Sequence, residues 1–193
     1  WTASRLEGIP MGSRILDVGT GASPLPLYLA ETGMYVDCVD NSDIHRTLPP
    51  SDDWNEWGFF DYATLHPNLT AHNSAIENFK PWHRYDAIYS VGAIAHFPSS
   101  IRDRALRNCW AWLKPGGRLV LAVDLIPNTD TLWNLGGSEE TPEQHGTCGD
   151  MEQGLRTLGF SIAESRILRR VDNWSRTDLY FLVANKGEDV PRG

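Results

Sequence analysis

The stretch Arg14–Val18, closed by Gly19-Thr20-Gly21, constrains the fold of this chain more than any other part of it. Five mostly apolar residues ended by glycine are too few for a stable helix and read as a strand buried on both faces. Residues 24–32 follow with helical character: Pro24 suits a first turn, and Gly33 suits the position just past the last one. A strand that turns through glycines straight into a helix is the opening unit of a parallel α/β sheet. The alternation then repeats. Residues 34–39 read as a second strand ending at Asp40, 68–73 as a third, 85–89 as a fourth and 118–123 as a fifth, with 160–168 and 178–184 as the last two. In 99–113 the apolar residues fall at 101, 105, 106, 109, 110, 112 and 113, a spacing that predicts a helix stopped by Pro115-Gly116-Gly117. Residues 149–158 predict another, ended by Gly159. Only a short polar stretch joins the last two strands, so one of them runs antiparallel. The expected fold is α/β: a doubly wound, seven-stranded, mostly parallel sheet with an antiparallel last strand, in three α/β/α layers.

Composition narrows the function. Seventeen Lys and Arg stand against 25 Asp and Glu, a net charge of −8. Such a surface repels phosphate backbones, so nucleic acid is not an expected partner. No apolar run approaches the roughly 18–20 residues of a membrane span, so no membrane is expected either. Cys38, Cys109 and Cys148 are far apart and in no C-x-x-C spacing, which fits neither a disulfide framework nor a zinc site and points to a cytoplasmic setting. The chain opens on Trp1 without a leader pattern, so the expectation is a single domain over 1–193 that lacks an N-terminal segment.

The chemistry concentrates at the first turn. Glycines at 19 and 21 let the backbone approach a ligand, and the following helix start offers free N–H donors. Asp40 ends the second strand 21 residues after Gly19, where a carboxylate can take both hydroxyls of a ribose. The dinucleotide spacing G-x-G-x-x-G would need glycine at 24, where Pro24 stands. Asp17 would repel a pyrophosphate and suits a cationic ligand instead. Both residues weigh against the alternative of an NAD-dependent oxidoreductase.

ILDVGTG with its acid-tipped second strand resembles the opening motifs of class I S-adenosylmethionine-dependent methyltransferases. YDAIYSVGAIAHF, WAWLKPGGRLVLAVD, GLRTLGFSI and LYFLVANK are similar, in order, to later segments of that family, so that the resemblance covers about residues 12–186. Ser23 departs from it, standing where a third glycine is common. The resemblance implies a Rossmann-like methyltransferase fold and S-adenosylmethionine as cofactor. It places Asp17, Gly19, Thr20 and Gly21 at the methionine end, and Asp40 with Asn41 at the ribose. Asn73 and Ser74 would meet the adenine amino group, with Ala75 or Ile76 packed on the ring. Ser90 and Val91, with Gly92, would lie under the reactive methyl. The implied reaction is in-line displacement, in which the protein mainly supplies position. His96 is the candidate general base for an acceptor that must lose a proton, with Asp124 and His145 as further candidates.

The fourth strand is followed by SVGA and not by Asn/Asp-Pro-Pro-Tyr/Phe, and no Pro-Cys pair occurs. Base or glutamine N-methylation and cytosine C5 methylation are thereby disfavoured. A small-molecule, sugar or glycan, or secondary-metabolite acceptor remains, methylated at oxygen or nitrogen. The alternative is a non-catalytic cofactor-binding module of a larger protein. Residues 41–67 and 126–148 lack a regular pattern and follow strand ends, the edge where open α/β sheets bind ligands. Trp133 and His145 are the substrate candidates there, and Trp54 and Trp57 occupy the earlier segment. Asp124, Asp130 and His145 match no ligand spacing, so no metal is expected.

Overall fold

The computed structural model describes residues 1–21, 23–41, 62–134, 140–169 and 177–187. Its strands are β1 (Arg14–Val18), β2 (Tyr35–Asp40), β3 (Leu69–Asn73), β4 (Tyr85–Val91), β5 (Leu113–Leu125), β6 (Phe160–Leu168) and β7 (Asp178–Lys186). They form one seven-stranded sheet in the order β3-β2-β1-β4-β5-β7-β6. β1 to β5 pair in parallel, and β7 enters between β5 and β6, antiparallel to both. The reason is length: a parallel crossover needs about a dozen residues or more, and 169–177 is shorter. Strand order reverses between β1 and β4, which opens a crevice at their carboxyl ends.

Helices cover both faces. α1 (Thr2–Leu6) and α2 (Leu25–Glu31) lie on one. α4 (Ser99–Trp112) and α6 (Cys148–Thr157) lie on the other, and the short α3 (Tyr62–Leu65) precedes β3. The strand period of two divides β1 between the layers. Ile15 joins Leu6, Leu29, Val36 and Val120 under α1 and α2, while Leu16 and Val18 join Ile88, Leu106, Leu121 and Leu155 under α4 and α6. Each such side chain contributes about 1.5–3 kcal/mol through burial. Asp17 falls on the α2 face, in register with Cys38 of β2 and Tyr89 of β4. No helix among the described residues is long and apolar enough to cross a membrane.

Three features depart from the sequence expectation. α4 stops at Trp112 because Lys114 precedes a proline, and Leu113 is already extended (φ −70°, ψ 142°). The Lys-Pro-Gly-Gly stretch therefore belongs to β5, which starts five residues before Arg118 and bulges there against β4. Gly117 makes the bulge possible, since a Cβ there would lie 2.8 Å from the Lys114 carbonyl oxygen. α1 carried no periodic signal in so short a run. It is held by Leu6, by Trp1 tilted against Phe181 with ring centroids 4.6 Å apart and by the Arg5–Glu164 ion pair at 2.6 Å. Finally, described residues within 126–148 form regular structure. Bridges pair Leu125 with Leu132 and Thr131 with Thr147, and α5 (Pro142–His145) starts from a capping box between Thr141 and Gln144. A second capping box, Thr147 with Asp150, starts α6.

Candidate functional site

The turn after β1 is built by glycine for a steric reason. Gly19 has φ +74°, and a Cβ on it would lie 2.2 Å from the Ala93 Cβ, so the segment after β4 packs directly on the turn. The Gly19 N–H donates to the Val39 carbonyl at 2.8 Å, and the Gly21 N–H donates to Asp40 Oδ2 at 2.6 Å. The tips of β1 and β2 are thus tied together. β3 adds Asn73, in register with Asp40, and the Ser74 N–H donates to the Asp40 carbonyl at 2.9 Å. Asp40, Asn41, Asn73, Ser74 and Ala75 therefore gather at one edge, whereas Ile76 is buried in the core below.

Asp17 is buried, and among the described residues its Oδ2 has no partner within bonding geometry. Burial pushes its pKa up to about 7, against the pull of the nearby Tyr89 and Thr20 hydroxyls, and the Asp40 charge pushes the same way as burial. Thr20 is also buried, its Oγ1 turned to the Asp17 carbonyl at 3.4 Å. An orphaned carboxylate oxygen beside a turn with no room for a Cβ fits a ligand carrying positive charge. The residues present therefore fit S-adenosylmethionine. At the end of β4, Val91 is half exposed, while Ser90 is fully buried and donates to the Val18 carbonyl at 2.8 Å. The Ser90 hydroxyl joins β4 to β1.

His96 lies in a 3₁₀ turn, Ile94–His96, just beyond β4. Its Nδ1 is 2.7 Å from the Trp133 carbonyl oxygen, and its Nε2 is 3.4 Å from Asp124 Oδ2. Both neighbours are acceptors, so the ring is held between the Trp133 carbonyl and the Asp124 carboxylate. Asp124 also takes the Thr177 hydroxyl at 2.9 Å. Burial raises its pKa, but the bonds from His96 and Thr177 outweigh that and hold it below the usual carboxylate range. The Trp133 N–H donates to the Asp124 carbonyl at 2.9 Å, and a Cβ on Gly92 would lie 3.6 Å from Asp124 Oδ2.

A cleft of about 380 Å³ opens on this side. Ile126, Pro127, Leu132, Trp133 and Pro142 form its apolar walls, and Asn134, Glu140 and His145 its polar side. Both predicted substrate residues therefore line it, but in different ways. His145 is fully buried, with Nδ1 3.0 Å from Glu140 Oε2 and Nε2 2.7 Å from the Ala95 carbonyl oxygen, and Arg102 donates to the His145 carbonyl. Glu140 also accepts from the Ser99 N–H at 3.0 Å and the Ser99 hydroxyl at 2.6 Å. Those bonds, with that from His145, hold its pKa at about 2. His145 is thus an internal brace. Glu140, Arg102 and Thr177 were not found from the sequence. Arg102 left a trace as a charge among the apolar positions of a helix; the other two left none.

Asp130 pairs with Arg169 at 2.6 Å, apart from His145. Among the described residues no group of three or more His, Cys, Asp or Glu is placed to hold a metal ion. Trp54 and Trp57 lie outside the described residues.

The chain matches a family model described as "Methyltransferase domain" over residues 3–165. Among curated proteins it is similar to the S-adenosyl-L-methionine-dependent Diels-Alderase iccD of Talaromyces variabilis, 30% identical over 130 residues. That match takes in 63% of this chain but only 40% of the relative's length. Among solved structures, the Burkholderia thailandensis 1,6-didemethyltoxoflavin-N1-methyltransferase, with S-adenosylhomocysteine bound, superposes with a TM-score of 0.68 at 17% identity, over 97% of this chain and 76% of that one. The [4+2]-cyclase SpnF superposes with a TM-score of 0.67 at 18% identity, over 97% and 80%. At such identities these likenesses establish the fold alone.

Proposed function

This chain belongs to the S-adenosylmethionine-dependent methyltransferase family, and we propose that it methylates a small-molecule acceptor, at oxygen or nitrogen, held in the cleft beside Trp133. One observation carries the reading: a continuous run of contacts from Gly19 to Ala93, from Gly92 to Asp124 and from Asp124 to Trp133 joins the glycine turn to the cleft. A methyl donor on the turn and an acceptor in the cleft would then share one strand edge.

When bound, S-adenosylmethionine supplies a methyl already activated for displacement, so the protein's share is orientation and the exclusion of water. Asp17 faces the cationic end as a carboxylate, with Gly19, Thr20 and Gly21 around it. Asp40 takes the ribose hydroxyls beside Asn41, while Asn73 and Ser74 meet the adenine amino group and Ala75 its ring. Val91 floors the reacting centre. His96 acts by fixing Trp133 through its carbonyl.

Calorimetry with S-adenosylhomocysteine tests the first half: the intact chain binds it, and Asp40→Ala weakens binding by on the order of 1–3 kcal/mol. Incubating methyl-labelled S-adenosylmethionine with a panel of neutral aromatic alcohols and amines tests the second, through a product heavier by one methyl. A second reading follows from the 30% identity to a Diels-Alderase. In that reading the bound cofactor is not consumed and the cleft closes a ring. Conversion of an acceptor without change of mass, and without formation of S-adenosylhomocysteine, would select it.

A further inference from the structure

The polar side of the cleft has an unusual property: among the described residues, every charged group there already has a partner of its own. The Glu140 carboxylate is held by Ser99 through its N–H and hydroxyl and by His145. The two ring nitrogens of His145 face Glu140 and the Ala95 carbonyl. Behind the Trp133 wall, His96 faces Asp124 and the Trp133 carbonyl, and Asp124 also holds Thr177. Asn134 too has a partner within the protein. Facing this side are apolar surfaces of Ile126, Leu132, Trp133 and Pro142.

We propose that the cleft selects a neutral, ring-bearing, largely apolar acceptor, and discriminates against anions, cations and sugars alike. This rests on the methyl-transfer reading only for the word acceptor; the selectivity is a property of the cleft. A charged ligand would lose its hydration and, among the described residues, meet only charges that are already engaged. A sugar would bring several hydroxyls to groups that already hold partners within the protein. A flat apolar ring loses little hydration and gains the Trp133 face and the aliphatic walls. The cleft volume, near the lower end of the roughly 300–1,000 Å³ typical of small-molecule sites, suits two or three fused rings. The acceptor's reactive hydroxyl or amine then needs only to point out of the cleft toward the glycine turn.

The test is a binding series by NMR titration at pH 7, on the whole chain with and without saturating S-adenosylhomocysteine. The probes are 2-naphthol, 2-naphthoate, 2-naphthylmethylammonium and methyl glucoside. The expected result is that 2-naphthol binds at least tenfold more tightly than any of the other three. Trp133→Ala should remove that preference and Trp133→Phe should keep most of it, both variants being checked for native thermal unfolding. A charged probe or the glucoside binding as tightly as 2-naphthol overturns the proposal. So does absence of 2-naphthol binding, or a preference that survives Trp133→Ala. If S-adenosylhomocysteine fails to bind while the naphthol preference stands, the methyl-transfer reading falls and the selectivity of the cleft does not.

Discussion

The two ends of the site are assembled by different means. At the cofactor end, position comes from the backbone. Gly19 at φ +74° lets Ala93 close in, and the Gly19 and Gly21 N–H groups bind the tip of β2. At the acceptor end, position comes from side chains. His96 and His145 each span a backbone carbonyl and a carboxylate, and between them they fasten Trp133 and 140–145 to the segment after β4. A backbone device tolerates no added atom, whereas a side-chain device can be lost one bond at a time. The first end should therefore fail abruptly on substitution and the second by degrees.

Gly19→Ala should have the largest effect. The added Cβ meets Ala93 in a left-handed conformation, which is expected to cost about 2–4 kcal/mol of stability and to abolish S-adenosylhomocysteine binding. Thermal unfolding and calorimetry read both. Adding Ala93→Gly should recover the steric part but not the backbone strain. A Gly19→Ala chain that binds like the native one would break the contrast at its root.

His145→Ala comes next. It strips Glu140 and the Ala95 carbonyl of a buried partner, and chemical denaturation should show a loss of about 2–3 kcal/mol. Cofactor affinity should change little, because the brace belongs to the other end.

Asp17 sharpens the comparison through pH. Its carboxyl titrates near 7 in the folded chain against 3.8 ordinarily. Between these values the folded chain keeps a proton that the unfolded chain releases, so this group's contribution to stability falls as pH rises through that window. Asp17→Asn should therefore stabilise the ligand-free protein at pH 8 by about 1–3 kcal/mol while weakening S-adenosylhomocysteine binding. The ligand's ammonium favours the carboxylate, so native affinity should climb between about pH 6 and 8 and then level off, and the variant's should not. A flat native profile would mean that Asp17 does not face the ligand's charge.

The smallest effect is expected at His96. His96→Gln keeps one hydrogen bond and should cost under about 1 kcal/mol. Its signature is local, with faster hydrogen exchange at the Trp133 amide and a weaker preference for 2-naphthol. No change in either would detach His96 from the wall.

The same contrast explains which parts were legible beforehand. Asp17, Gly19, Gly21 and Asp40 sit within 24 residues of one another, and their spacing already encodes a strand, a turn and a second strand. The sheet, its antiparallel β7 and the nature of the cofactor followed from such local patterns. The capping signals TPEQ and TCGD were also local, but they lay inside a segment without hydrophobic period and so did not announce α5. Ser90 was read by position alone; its hydroxyl turned out to be bonded across the sheet to Val18.

By itself the sequence determined the α/β alternation, the glycine turn and the carboxylates that fit a cationic cofactor, because each depends on residues close in the chain. Only the tertiary structure decided that His96 meets Asp124 and the Trp133 carbonyl, that His145 is buried and that Glu140 is held by Ser99 and His145. Apart from that between Glu140 and His145, those bonds join residues 28 to 41 positions apart, and no local pattern records which acceptor a ring nitrogen will meet once the chain has closed.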